Sequence, residues 1–167
     1  MTKLKKPAKI VATATVAYAT IGGSMQKFMK RLNNISRLQM LFRRQKLEGE
    51  LNSGYHTYVL AICASPGVTQ DVLAKDICVN KSTVARRLDW LESEGYVLRL
   101  ADKEDKRCLL VYPTEKMKAI HPKIKRIAEE WMEVLMSGIS EEELSVFVSV
   151  LSRMEEGGKA AVFEENL

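Results

Sequence analysis

A short stretch of the chain concentrates side chains that hydrogen-bond to phosphate groups and to the edges of nucleic-acid bases. It contains Lys81, Ser82, Thr83, Arg86 and Arg87. Hydroxyl and ammonium groups bind phosphate oxygens, and a guanidinium can form two hydrogen bonds with the edge of guanine. The same residue types also occur on solvated helix faces, so the elements that position them decide between the two interpretations.

The sequence around these residues predicts a helix that exposes part of the set. Asn80 is a preferred N-cap residue, and Gly95 can adopt the positive φ that ends a helix. A buried face is predicted by the helical spacing of Val84, Leu88 and Leu91. An advance of about 100° per residue places Ser82 and Arg86 on the opposite side, toward solvent. Arg86 is therefore our candidate for a base contact, and Arg87, closer to the buried face, for a phosphate contact.

The segments that flank this helix predict a helix pair followed by a β-hairpin. Thr69 is a credible N-cap for a short helix over residues 70–76, which a tight connection joins to the second helix. Apolar runs at residues 96–101 and 108–112 surround a polar loop, which is the pattern of a hairpin. In such an arrangement the second helix can enter a DNA major groove while the hairpin contacts the flanking backbone.

The hairpin loop adds a second group of candidate DNA contacts. These are Lys103, Asp105, Lys106 and Arg107. Asp105 and Arg107 are two residues apart, so on an extended chain their side chains lie on one side. The carboxylate would then hold the guanidinium in a fixed pose for insertion into a narrow minor groove. An ordinary surface ion pair is the alternative interpretation.

The remaining apolar periodicity is helical, at residues 25–47, 56–64, 114–137 and 141–156. The terminal helices carry more apolar residues than the helix pair and hairpin can cover, which predicts a homodimer. We therefore expect a helical dimerisation region at residues 25–52 and 114–167 around a DNA-binding domain at residues 53–113. Residues 1–24 are expected to form a poorly packed N-terminal extension, with a hinge at Gly22, Gly23 and Ser24.

Composition and charge agree with a folded protein that has a polyanionic partner. Hydrophobic residues make up 46% of the chain, enough for a core, and 26 Lys and Arg against 21 Asp and Glu leave a formal charge of +5. Every charged residue from Lys27 to Lys46 is basic, whereas acidic residues gather toward the C-terminus. This polarity favours double-stranded DNA as the partner.

The three cysteines, Cys63, Cys78 and Cys108, form no C-x-x-C pair, which argues against a disulfide framework and against a zinc site. Because each has apolar neighbours in the sequence, we expect buried structural thiols in a reducing compartment. Cys108 follows Lys106 and Arg107, and nearby positive charge lowers a thiol pKa. A redox-responsive Cys108 is therefore the alternative.

Other functional classes find little support in the sequence. No nucleophile, base and orienting group stand in a recognisable arrangement and no phosphate-binding loop is present, so we expect no enzyme activity. His56 and His121 are isolated histidines, and neither a metal nor another cofactor is expected. The N-terminal lysines and the apolar run after them imitate a secretory signal poorly and are too short to span a membrane. We expect a cytoplasmic protein without membrane association.

Over nearly all of residues 25–156 the sequence resembles the MarR family of bacterial winged-helix transcription regulators. The resemblance is carried by Gly67–Gln70 with Leu73 and Ala74, Lys81–Val84 with Arg86 and Arg87, Leu91 and Glu92 with Gly95–Val97, and Asp105 and Arg107 with Thr114 and Glu115. It implies a mainly α fold with a small β-hairpin wing, in which a winged helix-turn-helix domain is joined to a helical dimerisation domain.

The resemblance also implies a mode of action. Two recognition helices of a dimer would enter successive major grooves of a pseudo-palindromic operator, with Arg107 of each wing in a minor groove, and a repressor is the expected outcome. A small aromatic effector would relieve binding from a crevice whose candidate lining is Phe28, Leu32, Tyr55, His56 and Tyr58, although core packing explains these residues equally well. A winged helix used for protein partners is a further alternative.

Two positions depart from the family pattern. Pro113 stands where a leucine is common, and Met117 stands where a glycine is common. We expect the junction between the hairpin and the next helix to pivot differently from that of other members.

Overall fold

The computed structural model describes residues 8–47, 49 and 51–164. The chain divides into two units between Phe42 and Arg43, within the first helix. The predicted poor packing of the N-terminal extension concerns residues 1–7 and the side chains of residues 8–25, which lie outside the described part.

The helices are α1 (Ala8–Leu47), α2 (His56–Ala64), α3 (Gln70–Asp76), α4 (Lys81–Ser93), α5 (Glu115–Met136) and α6 (Glu141–Lys159). The strands are β1 (Val68–Thr69), β2 (Val97–Ala101) and β3 (Leu109–Pro113). A 3₁₀ turn, Ser53–Tyr55, precedes α2, and a π-helical turn, Ala160–Glu164, follows α6. The mainly α fold with a small hairpin wing is confirmed.

The predicted hinge in the N-terminal segment is wrong. α1 continues through Gly22, Gly23 and Ser24 without interruption. Glycine in a helix costs about 1 kcal/mol relative to alanine, which weakens a helix but does not end it when the turns on both sides continue.

Side-chain caps begin α3 and α4 at the residues that the sequence predicts. The Thr69 hydroxyl accepts from the Val72 N–H, and the Asn80 side chain accepts from the Thr83 N–H. Gly95 has a φ of +73° directly after α4, a conformation that costs a glycine little. At α6 the Ser140 and Glu143 side chains form a capping box.

The three strands form an antiparallel sheet in the order β1-β3-β2. Val97 pairs with Pro113, and Arg99 pairs with Val111. Val97 and Val111 are buried, whereas Leu98 and Leu100 are about half exposed on the other face. Alternation along β2 therefore places one face of the wing on the core and the other toward solvent.

The core of the second unit comes from α2, α3, α4, the sheet and α5. Its most deeply buried side chains include Val59, Ile62, Leu73, Val84, Leu88, Leu91, Val111, Met117 and Ile124. Met117, one of the two positions that depart from the family pattern, is thus fully buried in the first turn of α5. Thr114 caps that turn, and its hydroxyl donates to the Gly95 and Tyr96 carbonyls at 2.7 and 2.9 Å.

Most apolar residues of α6 are exposed in the described part of the chain. No residue of α6 is buried, and the exposed apolar set is Val146, Phe147, Val148, Val150, Leu151 and Met154. In the first unit, α1 separately exposes Met29, Ile35, Leu38, Met40 and Leu41. Among the described residues, no helix is long and apolar enough to cross a membrane.

Candidate nucleic-acid interface

The first turns of α4 expose the side that the sequence predicts to contact DNA. Ser82 and Arg86 are exposed, while Val84, Leu88 and Leu91 are fully buried. The Ser82 hydroxyl donates to the Asn80 side chain at 2.9 Å, and the Arg86 guanidinium donates to the Ser82 carbonyl and the Thr83 hydroxyl, both at 3.4 Å. These long contacts hold Arg86 along the helix and leave it at the surface.

Two residues of α3 fix the start of α4. The Gln70 amide donates to the Lys81 carbonyl at 3.2 Å, and the Lys81 ammonium forms an ion pair with Asp71 at 2.7 Å. Both partners of the ion pair are more than half exposed, so its contribution to stability is roughly 0–1 kcal/mol. Lys81 thus has a protein partner as well as the position predicted for a phosphate contact.

The wing loop is ordered by acidic side chains that accept from backbone amides. The Asp102 carboxylate accepts from the N–H groups of Glu104 and Asp105 at 2.7 and 3.4 Å. The Asp102 N–H donates to the Cys108 carbonyl, and the Cys108 N–H to the Asp105 carbonyl, both at 2.9 Å. Lys103, Lys106 and Arg107 are exposed on this braced loop.

Asp105 contacts the backbone of Arg107 and not its side chain, so the predicted clamp differs from the structure. Its carboxylate accepts from the Arg107 N–H at 3.0 Å. The prediction assumed an extended chain, whereas bends and turns occupy residues 103–104 and 106–107. Asp105 therefore orders the loop, and the Arg107 guanidinium remains at its surface.

Arg87 is directed toward the aromatic residues of its own unit. Its guanidinium carbon lies 4.6 Å from the centroid of the Tyr55 ring. Trp90 is half-buried and stacks on Tyr55 with ring centroids 4.2 Å apart. This stack could not be predicted from the sequence, because Tyr55 and Trp90 are 35 positions apart and only the fold brings them together.

Arg99, a residue that the sequence analysis did not single out, joins β2 to α4. Its guanidinium donates to Glu92 at 2.9 Å and forms an ion pair with Asp89 at 2.8 Å. Hydrogen bonding to Arg99 holds the pKa of Glu92 below its usual value, and the same bonds raise the pKa of Arg99. The spacing of Asp89 and Glu92, three apart on one helix face, was the signal available in the sequence.

An open cavity of about 300 Å³ links the wing to the helix pair. Thr69, Gln70, Asp71, Arg107, Cys108 and Leu109 line it. Gln70 and Asp71 also contact Lys81, so the Arg107 end of the wing lies beside the α3 residues that hold the start of α4.

The candidate effector residues fall in both units. Phe28 and Leu32 are half-buried on α1 in the first unit. In the second unit Tyr55, His56 and Tyr58 are buried, and neither His56 ring nitrogen nor the Tyr58 hydroxyl has a hydrogen-bond partner among the described residues. Burial, assisted by the charge of Arg43, lowers the pKa of His56 to about 4, and burial raises the pKa of Tyr58.

The prediction that all three cysteines are buried is wrong for two of them. Cys63 is half-buried, but Cys78 and Cys108 are exposed. Cys78 lies in the turn after α3 with a φ of +53°, and Cys108 lies in the wing loop, so apolar neighbours in sequence did not mean burial. A hydrogen bond to Asp105 raises the pKa of Cys108, which opposes the effect expected from Lys106 and Arg107.

Comparisons with known proteins agree with this geometry. A model of the MarR family matches residues 52–109. The uncharacterized HTH-type transcriptional regulator YybA of Bacillus subtilis (strain 168) is 34% identical over 105 residues, which are 63% of this chain and 70% of YybA.

Solved structures give the same result. A MarR transcriptional regulator from Methanosarcina mazei Go1 has 30% identity and a TM-score of 0.70, over 80% of this chain and 96% of that one. A MarR family transcriptional regulator from Listeria monocytogenes, solved in complex with a 26mer DNA, has 25% identity and a TM-score of 0.75, over 80% of this chain and 89% of that one. The helix pair, the wing and these likenesses together establish that the chain belongs to the MarR family of winged-helix transcriptional regulators.

Proposed function

We propose that this regulator is a homodimer that binds a pseudo-palindromic operator in double-stranded DNA through α4 and the wing of each chain. The observation that carries the proposal is the cavity in which Gln70 and Asp71, the α3 residues that bind Lys81 at the start of α4, lie beside Arg107 of the wing. A helix in the major groove and a cation in the neighbouring minor groove need such an arrangement. The DNA complex of the Listeria monocytogenes relative supports it.

Each group has a separate role in the proposal. Arg86 reads a base edge, because it is exposed near the N-terminal end of α4 and its guanidinium can form a bidentate contact with guanine. Ser82 and Thr83 contact phosphate at the positive end of the helix dipole, with Lys81 beside them. On the wing, Arg107 enters the minor groove while Lys103 and Lys106 lie against the phosphate backbone.

The exposed apolar side of α6 supports the dimer. Phe147 and Leu151 are four residues apart, so they lie on one face of the helix, and both are more than a third exposed. Exposed apolar residues in such number mark an interface, and a second copy of this chain is the partner that the family favours.

Repression relieved by a small aromatic compound is the form of regulation that we propose. Tyr55, His56 and Tyr58 gather aromatic surface and unpartnered polar atoms in the second unit. A buried polar group without a partner costs free energy, which a phenolic or carboxylate ligand could recover by hydrogen bonding to it. Regulation by oxidation of Cys108 is less well supported, because Asp105 raises the pKa of its thiol.

The experiment is selection of bound duplexes from fragmented genomic DNA by the purified full chain, followed by footprinting. We expect two half-sites whose centres are about 10 bp apart. Affinity for the selected duplex should fall steeply as salt rises, because phosphate contacts release counterions. Benzoate and phenol, added to the complex, should weaken binding if the effector is aromatic. Failure to enrich any duplex, or affinity that ignores salt, contradicts the proposal and favours a protein partner.

A further inference from the structure

Five side chains of the second unit form a continuous column along one flank of α4. In order they are Arg87, Tyr55, Trp90, Tyr96 and Lys116. The Tyr55 and Trp90 rings stack with centroids 4.2 Å apart and planes 24° from parallel, and Trp90 and Tyr96 follow at 6.2 Å and 21°. The Lys116 ammonium lies 4.2 Å from the Tyr96 ring centroid, as the Arg87 guanidinium lies over Tyr55 at the other end. A cation thus closes each end of three stacked rings.

The column joins three elements and the residue that precedes a fourth. Tyr55 belongs to the 3₁₀ turn, Trp90 to α4 and Lys116 to the first turn of α5, while Tyr96 immediately precedes β2. Lys116 also donates to the Glu94 carbonyl at 2.7 Å, which attaches the start of α5 to the end of α4. A rotation of α4 about its own axis would therefore separate Trp90 from both tyrosines.

Trp90 is well placed to set the direction of Arg86. The two residues are four positions apart on α4, so they lie on nearly the same side of the helix, one turn from each other. Since the indole is held between two rings, the orientation of the exposed Arg86 relative to the unit is held as well.

The Arg87 guanidinium makes its contacts within the column and with the residues beside it. Besides lying over Tyr55, its guanidinium lies close to the backbone of Gly54, where a Cβ would be 3.4 Å from Arg87 Nη2. Its charge also acts on Tyr58, whose pKa it lowers against the larger effect of burial. The Arg87 guanidinium therefore contacts residues of its own unit, although Arg87 directly follows Arg86 on α4.

We infer that Arg87 and Tyr55 are positioning residues for DNA reading. Through the column they hold α4 so that Arg86 meets base edges, and Arg87 itself contacts no phosphate. This inference rests on the proposed function and replaces the phosphate role that the sequence predicts for Arg87.

The test is a double-mutant cycle on DNA preference. Arg87→Gln, Tyr55→Leu and the double variant are compared with the unchanged chain on the selected duplex and on a scrambled duplex of equal length. We expect each single change to lower the preference for the selected duplex about tenfold, and the double variant to fall little further, because either change breaks the same column. Tyr55→Phe, which keeps the ring, should recover most of the preference.

Salt dependence separates positioning from a phosphate contact. The slope of log K against log salt should be unchanged in Arg87→Gln, whereas loss of a phosphate contact lowers it by about 0.9 for each contact. Arg126→Gln is the matched control, since Arg126 is an exposed α5 arginine and its loss removes the same charge. Tryptophan emission of the free variants, with Trp90→Phe as reference, reports whether the stack has changed.

The possible results are distinct. If Arg87→Gln lowers the salt slope and weakens both duplexes equally, or if the two single effects add, the positioning role is wrong while the proposed function stands. If the unchanged chain binds no duplex, the proposed function itself fails. Should Tyr55→Leu not fold, Lys116→Gln, at the other end of the column, takes its place in the same cycle with the same expected non-additivity.

Discussion

Glu92 on α4 accepts hydrogen bonds from both the backbone N–H and the guanidinium of Arg99 on β2, the former at 3.2 Å and the latter at 2.9 Å. A contact that uses main chain and side chain of one residue fixes direction as well as distance. The wing and α4 are therefore held at a set angle on the side of α4 where Asp89 and Glu92 lie.

Replacing Arg99 by methionine should destabilise the fold. The Arg99 side chain is only 20% exposed, and its loss leaves Glu92 without a charged partner. Charge-assisted hydrogen bonds of this kind contribute about 1.5–3 kcal/mol, so we expect a loss near the lower end because Glu92 keeps some access to water. Urea unfolding measures it. Arg126→Met is the control, with an expected loss within about 0.5 kcal/mol since Arg126 is 70% exposed. Equal losses in the two variants would show that the Arg99 contact adds nothing.

His56 should make the fold sensitive to mild acid. Its pKa in the folded chain is about 4, against an ordinary value of 6.5, so the unfolded chain takes up the proton first as the pH falls. The contribution of neutral His56 to the free energy of unfolding is fully present above about pH 6.5 and is lost progressively as the pH falls to about 4. Between about pH 7.5 and about pH 5 the loss from His56 should be about 2 kcal/mol. Urea unfolding at both pH values measures this loss. The free energy of unfolding of His56→Phe should fall by about 2 kcal/mol less than that of the unchanged chain. An identical fall in the two proteins would contradict the prediction.

Arg86 and Arg107 should differ in what their removal does to DNA binding. Arg86→Ala should relax base preference at one position of each half-site by about 1–3 kcal/mol, because a base contact is lost. Arg107→Ala should weaken all duplexes more evenly, because the charge in the minor groove acts on any sequence of similar shape. Competition between duplex libraries measures both effects. If Arg86→Ala lost affinity equally for all duplexes, Arg86 would contact the phosphate backbone and not a base.

A charge on the apolar side of α6 should separate the proposed dimer. Phe147→Glu would bury a carboxylate from each chain at the interface, and we expect the dimer dissociation constant to rise at least about 100-fold. Ser149→Glu, on the opposite side of the same helix, should leave the dimer intact. Sedimentation velocity at several concentrations measures this. A dimer that withstands Phe147→Glu must use another surface.

The Cys108 thiol should react slowly with alkylating agents for an exposed cysteine. Its hydrogen bond to Asp105, at 3.5 Å, and the charge of that carboxylate both raise its pKa, so little thiolate is present at neutral pH. Asp105→Asn should accelerate alkylation of Cys108 while leaving Cys78 as a reference within the same chain. Peptide mass mapping over time follows both. An unchanged Cys108 rate would mean that Asp105 does not control the thiol.

Local patterns explain which parts of the fold and site were predictable. The caps at Thr69 and Asn80 and the buried face of α4 depend on residues within a turn or two, and the sequence places them correctly. Arg87 and Asp105 differ because their partners depend on tertiary structure and on the shape of the wing loop. Charge and position in sequence predicted that both residues contact DNA. In the structure, Arg87 lies over the Tyr55 ring, 32 positions away, and Asp105 accepts from the Arg107 N–H.

Thr114 is the point about which the wing would tilt. Its hydroxyl contacts the carbonyls before β2 and caps α5, so both ends of the hairpin and the first turn of α5 are joined at this residue. A five-residue strand is about 17 Å long, so a tilt of about 5° at Thr114 would move the tip of the wing by about 1.5 Å. A displacement of that size is half the length of a hydrogen bond, enough to break the minor-groove contact proposed for Arg107 without unfolding any element.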